Sequence, residues 1–251
     1  MKVFTCLPDL ESMLTCIYDA WASGLGHHNL RLETEPIEQL SMFDEYVHVE
    51  SDTAKVESVM DAVNMKMSPS FYSDIVYISI AMEKDALDIM YRMLILGFAY
   101  GPKAIDMRQY AEVTRYHDIR RRLERESMHF LDCLRFTEIR PDVYVAHIEP
   151  KSRVAVTLAP SFEDRMPSLT FVIVDDVHKE AVIHPANEHF FMRKLDDYEL
   201  KLLLESELIR DEYTDLWKLF FDTIAIKERT NYKCQRNLFP LWTRKHAVEF
   251  F

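Results

Sequence analysis

The sequence has few of the residues that break or cross-link a chain. Of its 251 residues, 4 are glycine, 10 are proline and 4 are cysteine. So few glycines and prolines exclude long low-complexity linkers and indicate a chain that folds over most of its length. With 48% hydrophobic residues, the chain can bury the core of one large domain or of two smaller ones.

The four cysteines are far apart in the sequence and include no Cys-x-x-Cys pair. Iron–sulfur clusters and most structural zinc sites take their thiolates from closely spaced groups, so we predict neither an iron–sulfur cluster nor a metal site. We expect reduced thiols at all four positions, which are Cys6, Cys16, Cys133 and Cys234.

Other common signals are missing as well. Neither GxGxxG nor GxxxxGK[ST] occurs, which removes the usual nucleotide-binding loops. Near the N-terminus, Asp9, Glu11 and Asp19 interrupt any apolar stretch that would form a signal peptide or a membrane anchor. We therefore predict no cofactor, no membrane partner and a cytoplasmic location.

The net charge of −12 is unevenly distributed along the chain. Residues 1–107 carry 7 basic and 17 acidic side chains, for a net charge of −10, whereas residues 223–251 carry 6 and 2, for a net charge of +4. The overall acidity argues against indiscriminate binding of polyanions. The basic C-terminus leaves room for a local surface that contacts phosphates.

Apolar spacing predicts a helix-rich first region over residues 1–106. Its first strand is predicted at residues 2–6 and a helix follows to about Ser23, whereas residues 24–36 are predicted to be an exposed loop. A second short strand is expected at 46–49. Three further helices are predicted at 53–67, 69–81 and 85–101.

Residues 107–251 are predicted to form a second region, although the two regions could equally be one continuous domain. A helix over 107–131 is followed by alternating segments, an Arg-Pro-Asp turn and the apolar run LTFVIV, which together predict an antiparallel sheet over 133–184. A helix over 154–166 is expected on one face of that sheet. The fold class is therefore α+β.

Helical spacing returns from about Tyr198 and predicts a C-terminal helix. Because residues 217, 220 and 224 lie on one side of a 3.6-residue helix, we expect Trp217, Phe220 and Ile224 to be largely buried and Lys218 to be exposed.

Two acidic motifs are candidates for chemistry. Glu126 and His129 lie one helical turn apart, where they could share a proton or ligate a metal, although salt bridges with neighbouring arginines are the favoured interpretation. Asp175 and Asp176 end a predicted strand, where carboxylates often take part in catalysis. The same two residues also suit a turn or a helix cap, and this structural interpretation is favoured.

The segment from Trp217 to Trp242 interleaves aromatic and cationic side chains. Stacking surfaces beside phosphate-neutralising charges are what single-stranded or flipped bases require. An amphipathic helix with a basic last turn accounts for the same residues, so both interpretations stay open. The nucleic-acid-binding candidates are Lys227, Arg229, Asn231, Lys233, Gln235, Arg236 and Trp242.

Four segments resemble a bacterial family of uncharacterised proteins described as probable DNA metabolism proteins. They are ERESMHFLDCLRF, LAPSFEDRM, FVIVDD and LWKLFFDTIAIKERTNYKCQ, and the N-terminal FTC…LTCIYDAW is similar too. Family members are typically encoded beside a radical-SAM protein, and some relatives are fused to a uracil-DNA glycosylase-like domain. The resemblance implies DNA repair or modification, a radical-SAM partner protein, and single-stranded or damaged DNA as a further partner.

The family pattern also supplies candidate catalytic residues without assigning them roles. These are Glu126, His129, Arg135, Arg165 and Asp175. The chain departs from the pattern at Asp132, where a glycine is expected, and at Ser161, where a histidine is expected. Three functions are therefore weighed: a DNA factor beside a radical-SAM enzyme, an enzyme that processes a base in nucleic acid, and a non-catalytic interaction protein.

Overall fold

A computed structural model of the chain describes residues 1–37, 39–206 and 212–250. Its helices and two sheets confirm the predicted α+β class. Residues 207–211, which fall within the predicted C-terminal helix, lie outside the described residues. Contacts divide the chain into two compact units, Met1–Leu123 and Glu124–Phe251. The predicted division between residues 106 and 107 stays a prediction.

The first unit contains a parallel sheet of three strands. Its central strand is β1 (Lys2–Cys6), which pairs on one side with β2 (Leu30–Thr34) and on the other with β3 (Glu45–His48). Helix α1 (Leu10–Ala22) connects β1 to β2. The prediction of an exposed loop over residues 24–36 is wrong at β2. The apolar alternation of β2 covers only five residues, which is too short to predict a strand, and the strand is stabilised by its pairing with β1.

Helices make up most of the rest of the first unit, as predicted. They are α2 (Thr53–Lys66), α3 (Pro69–Ile78), α4 (Ala86–Tyr100), a 3-10 turn (Pro102–Asp106) and the first part of α5 (Ala111–Cys133), whose residues from Glu124 onward belong to the second unit. The side chains of Asp52 and Ser68 cap α2 and α3 by accepting hydrogen bonds from free backbone N–H groups. Helix α4 ends at Gly101, whose φ of 75° favours glycine.

The second unit contains a five-stranded sheet in the order β4-β5-β6-β7-β8. Its strands are β4 (Thr137–Arg140), β5 (Val143–Ile148), β6 (Thr170–Asp175), β7 (Glu180–His184) and β8 (Phe191–Lys194). Three of its strand pairs are antiparallel, but β5 and β6 are parallel. The antiparallel prediction is wrong for that pair, because α6 (Ala155–Arg165) carries the chain back to the other end of the sheet. Strands β5 and β6 therefore end at the same edge.

The core of the second unit contains an aromatic cluster. The predicted helix is confirmed as α6, whose buried Phe162 lies with its ring centroid 5.1 Å from that of Phe136 and 6.4 Å from that of Phe171. Phe171 belongs to β6 and is fully buried. This packing holds α6 against the sheet.

The described residues of the second unit also form three helices and three 3-10 turns. They are α7 (Asp197–Ser206), α8 (Glu212–Ile224), α9 (Tyr232–Leu238) and turns at Lys227–Arg229, Leu241–Thr243 and Val248–Phe250. No helix in the described ranges combines the length and the apolar character that crossing a bilayer requires.

The predicted burial of α8 is wrong. Trp217 is 38% exposed, Phe220 is 53% exposed and Ile224 is 57% exposed, whereas Lys218 is half-buried. Helical spacing defines an apolar face but carries no information about whether another element covers it. The helix prediction was right and the inference from it to burial was not.

Candidate functional site at the carboxyl end of the parallel strands

The ends of β5 and β6 bring two acidic residues together. Ile148 and Asp175 are partners in the parallel register, so the next residues, Glu149 and Asp176, leave the sheet side by side. The backbone N–H of Asp176 donates to the carbonyl of Ile148 over 3.1 Å, which extends the pairing past the strand ends. Adjacent parallel strand ends are a common location for functional sites.

Asp176 is held by a buried histidine. His147 Nδ1 lies 3.0 Å from Asp176 Oδ1, and its Nε2 lies 3.1 Å from the carbonyl oxygen of Leu203. Because a carbonyl can only accept, Nε2 donates to Leu203, and Nδ1 lies within hydrogen-bond distance of the Asp176 carboxylate. Both side chains are at least nine-tenths buried, so this contact is shielded from water.

The C-terminal segment adds a second histidine and a lysine to the strand ends. His246 Nε2 lies 3.7 Å from Asp176 Oδ2, and the ammonium of Lys245 bonds to Glu149 Oε1. One ligand-type atom each of Glu149, Asp176 and His246 lies within 4.8 Å of the others. We call these residues, together with His147 and Lys245, the strand-end cluster. The predicted absence of a metal site stays a prediction.

A narrow cleft lies beside the strand-end cluster. Its lining includes Phe130, Cys133, Arg135, Trp242 and three residues of the cluster, His147, Glu149 and His246. Burial raises the pKa of the Cys133 thiol above its usual range. This cysteine is therefore a neutral thiol at physiological pH and not a prepared nucleophile.

Glu126 and His129, the predicted pair on α5, make separate contacts. Glu126 Oε1 accepts hydrogen bonds from the backbone N–H groups of Lys151 (2.5 Å) and Ser152 (3.4 Å), so it holds the loop after β5. The His129 ring lies edge-on to Trp242, with ring centroids 6.5 Å apart. Glu126 therefore has a structural role that needs no reaction.

Arg135 connects the start of the sheet to the end of the chain. Its Nη2 donates to Glu249 Oε1 over 2.8 Å, and its guanidinium lies 5.1 Å from the ring centroid of Trp217. The Glu249 side chain is 3% exposed. A buried carboxylate that lost this arginine would be left without its cation, so Arg135 stabilises the C-terminal turn.

The two remaining catalytic candidates also make local contacts. Asp175 is fully buried, and its Oδ1 accepts from the backbone N–H groups of Val177 and His178 over 3.1 and 3.0 Å. Its Oδ2 lies 2.7 Å from His178 Nδ1. Asp175 thus shapes the turn between β6 and β7. Arg165 is exposed at the end of α6, with its guanidinium 5.5 Å from the ring centroid of Phe162.

Most nucleic-acid candidates lie at the surface. Arg229, Lys233 and Arg236 are exposed, and Gln235 is half-buried. The side chain of Lys227 lies outside the described part of the structure. Asn231, although exposed, caps α9 by accepting a hydrogen bond from the backbone N–H of Cys234 over 3.0 Å.

Aromatic side chains accompany these cations. Tyr232 is 70% exposed, and it lies four residues before Arg236 on the same face of α9. Trp242 is 38% exposed, and Lys151 Nζ lies 5.4 Å from its ring centroid. We call Lys151, Tyr232, Lys233, Arg236 and Trp242 the aromatic–cation set.

Sequence reasoning missed most of the strand-end cluster. His147, Glu149, Lys245 and His246 were not candidates, and Asp176 was singled out only as a strand-end carboxylate. The available signal was an acidic residue directly after each of two apolar strands. Antiparallel strands would have placed those residues at opposite edges, so the wrong strand direction hid the cluster.

The fold and site define an α+β protein with a polar cluster where two parallel strands end. The DUF4130 family, described as a domain of unknown function, matches residues 84–249. This match covers more than half of the chain, and the protein therefore belongs to that family. No curated protein sequence matches the chain. Residues of the strand-end cluster all fall within the matched range.

Proposed function

We propose that this protein is a DNA repair or modification factor that contacts single-stranded or damaged DNA and acts with a radical-SAM partner protein. The observation that carries the proposal is the exposure of the aromatic–cation set. The resemblance of the chain to probable DNA metabolism proteins supports the same function. This resemblance is the only basis for naming the radical-SAM protein as the partner.

The aromatic–cation set has the chemistry that single strands require. Stacking on an aromatic ring is worth about 1–3 kcal/mol per base and tolerates any sequence, because every base has a π face. Tyr232 offers such a ring beside exposed Lys233 and Arg236, and Trp242 offers a second ring beside Lys151. Cations beside the rings would neutralise the phosphates that flank a stacked base.

An accessory role suits the contacts of the family-pattern residues. Glu126 holds a loop, Asp175 shapes a turn and Arg135 neutralises a buried carboxylate. Each of these contacts accounts for its residue without a reaction. In this proposal the partner protein supplies the radical chemistry, and this chain supplies binding and orientation.

One observation favours a second candidate, an enzyme that processes a base in nucleic acid. The buried His147–Asp176 pair lies beside a narrow cleft that Trp242 also lines. Such a pair can deliver a proton to a leaving base or take one from water. Conversion of a labelled oligonucleotide containing uracil or a damaged base, lost in His147→Asn, would support this candidate.

Fluorescence anisotropy with labelled single-stranded DNA tests the DNA contact. We expect Tyr232→Ala and Trp242→Ala each to weaken binding by roughly fivefold or more, since each removes a stacking ring. The matched control is Tyr198→Ala, because Tyr198 on α7 is 69% exposed and lies outside the set. Equal affinity in all three variants, or no binding by the natural protein, would contradict the proposal. Co-purification with the radical-SAM protein tests the partner separately.

A further inference from the structure

We infer that Glu149, Asp176 and His246 form a binding site for one divalent transition-metal ion. This inference rests on the strand-end cluster and does not depend on DNA binding. The three residues come from three segments that the fold brings together, two strand ends and a C-terminal turn. They supply two carboxylates and one imidazole.

The separation of the donor atoms suits a shared ion better than a direct bond. His246 Nε2 and Asp176 Oδ2 are 3.7 Å apart, which is too far for a hydrogen bond between them. Two ligands that each lie about 2.1 Å from one ion at a tetrahedral angle are about 3.4 Å apart. All three donor atoms lie within 4.8 Å of one another, so small side-chain rotations bring Glu149 to the same ion.

The surroundings of Asp176 resemble the outer shell of a metal site. The imidazole of His147 orients the carboxylate from behind through a 3.0 Å contact, and the Leu203 carbonyl fixes that imidazole in turn. Outer-shell hydrogen bonds of this kind hold metal ligands in one orientation. The Asp176 side chain is only 7% exposed, so its direction is already set before an ion arrives.

The ammonium of Lys245 lies beside the Glu149 carboxylate, where a bound metal ion would also lie. Its ammonium bonds to Glu149 Oε1, so it must leave when a metal ion binds that oxygen. The Lys245 side chain is 61% exposed and can move into solvent, whereas the side chains of His246 and Asp176 are only 13% and 7% exposed. Lysine and metal should therefore compete, and the lysine sets how tightly the ion binds.

The donor set also defines the class of metal. One imidazole nitrogen with two carboxylate oxygens suits Mn²⁺, Fe²⁺, Co²⁺ or Zn²⁺, while Mg²⁺ and Ca²⁺ prefer oxygen ligands alone. Thiolates do not belong to the set, which consists of the Glu149 and Asp176 carboxylates and the His246 imidazole.

Titration of the chelator-treated full-length chain with Co²⁺ tests this site, followed by calorimetry and by visible absorption. We expect one Co²⁺ per chain, with d–d bands and without a thiolate charge-transfer band. Asp176→Asn and His246→Gln should each weaken binding by at least about tenfold. The matched control is His189→Gln, because His189 also bonds a carboxylate, that of Glu163, but on the exposed surface.

A Lys245→Met variant separates a metal site from a cluster of ion pairs. If the lysine competes with the ion, its removal should tighten Co²⁺ binding several-fold. Absence of saturable binding by the natural protein, with circular dichroism showing it folded, would overturn the inference, even if Lys245→Met bound the ion. Unchanged binding in both Asp176→Asn and His246→Gln would overturn it as well.

Discussion

Buried acidic residues of the second unit differ in what compensates their charge. The Asp175 carboxylate accepts hydrogen bonds from two backbone N–H groups and also contacts the His178 ring. The Asp176 carboxylate contacts the His147 ring. Glu180 pairs with Arg153, but burial still dominates and raises the pKa of its carboxyl above the usual range. The Arg153 guanidinium offsets only part of the loss of hydration.

Glu180 should therefore make the fold less stable as the pH rises. The pKa of the Glu180 carboxyl in the folded chain lies above the ordinary value of 4.5. At pH values between these two pKa values, the folded chain binds more protons than the unfolded chain. The free energy of unfolding then falls as pH increases through it. Glu180→Gln has no such titration, so its stability relative to the natural protein should improve as the pH rises from about 4.5 through the raised folded-state pKa.

Urea denaturation at pH values from below 3.8 to above the raised pKa of Glu180 checks the slope. Asp197→Asn is the opposite control, because a hydrogen bond and the charge of Lys179 lower the pKa of Asp197 below 3.8. The stability that Asp197 adds is present above 3.8 and is lost as pH falls through its lowered pKa. A stability difference for Glu180→Gln that does not vary with pH would show that the burial penalty is absent.

At the scale of single elements, Gly97 decides how closely α4 packs. A Cβ at this position would lie 2.7 Å from Met67 Sδ and 2.7 Å from Phe71 Cζ. Phe71 is 2% exposed, so its ring has little room to move. Glycine at this position lowers the helix propensity of α4, but it lets α4 pack closely against α3 and the end of α2.

Gly97→Ala should destabilise the protein, although alanine normally gains about 1 kcal/mol over glycine within a helix. We expect a net loss of about 1–3 kcal/mol from overpacking, measured by urea denaturation. Met67→Ala shortens one of the two neighbours, and the double variant should recover part of the loss. Stabilisation by Gly97→Ala alone would mean that the contacts at this position are loose.

The exposed face of α8 leads to a second element-scale prediction. Trp217→Ala should cost about 1–2 kcal/mol, because the ring is 38% exposed and loses only partly covered contacts with the Arg135 guanidinium and the Phe220 ring. The matched control is Phe171→Ala, which removes a fully buried ring and should cost about 3–5 kcal/mol. Similar losses in the two variants would show that α8 is buried after all.

These elements show how far the sequence predicts the fold. Helices α2 to α5 were predictable, because spacings of three and four continue between clear breaks such as Pro69 and Gly101. The direction of β6 was not, since alternation and apolar character are the same in parallel and antiparallel strands. Long-range pairing also determines the strand-end cluster, whose Glu149 and His246 are far apart in the sequence.

At the scale of the whole molecule, charge is the property most relevant to a nucleic-acid partner. The chain as a whole carries −12, and residues 1–107 alone carry −10. This acidity repels a polyanion at long range, an effect that salt screens. Residues 223–251 carry +4, so any contact with phosphates depends on a small local set of cations.

The salt dependence of DNA binding should reveal that local set. Four phosphate contacts, from Lys227, Arg229, Lys233 and Arg236, give a slope of log affinity against log salt of about −2.8, at about −0.7 per contact with a single strand. Replacing Lys233 and Arg236 together by glutamine should reduce the slope by about 1.4, because fewer counterions are released.

Tyr232→Ala should instead weaken binding equally at every salt concentration, since stacking releases no counterions. Lys103→Gln, an exposed lysine outside this segment, is the control and should change neither quantity. Anisotropy measurements across a salt series would contradict direct phosphate contact if binding were independent of salt.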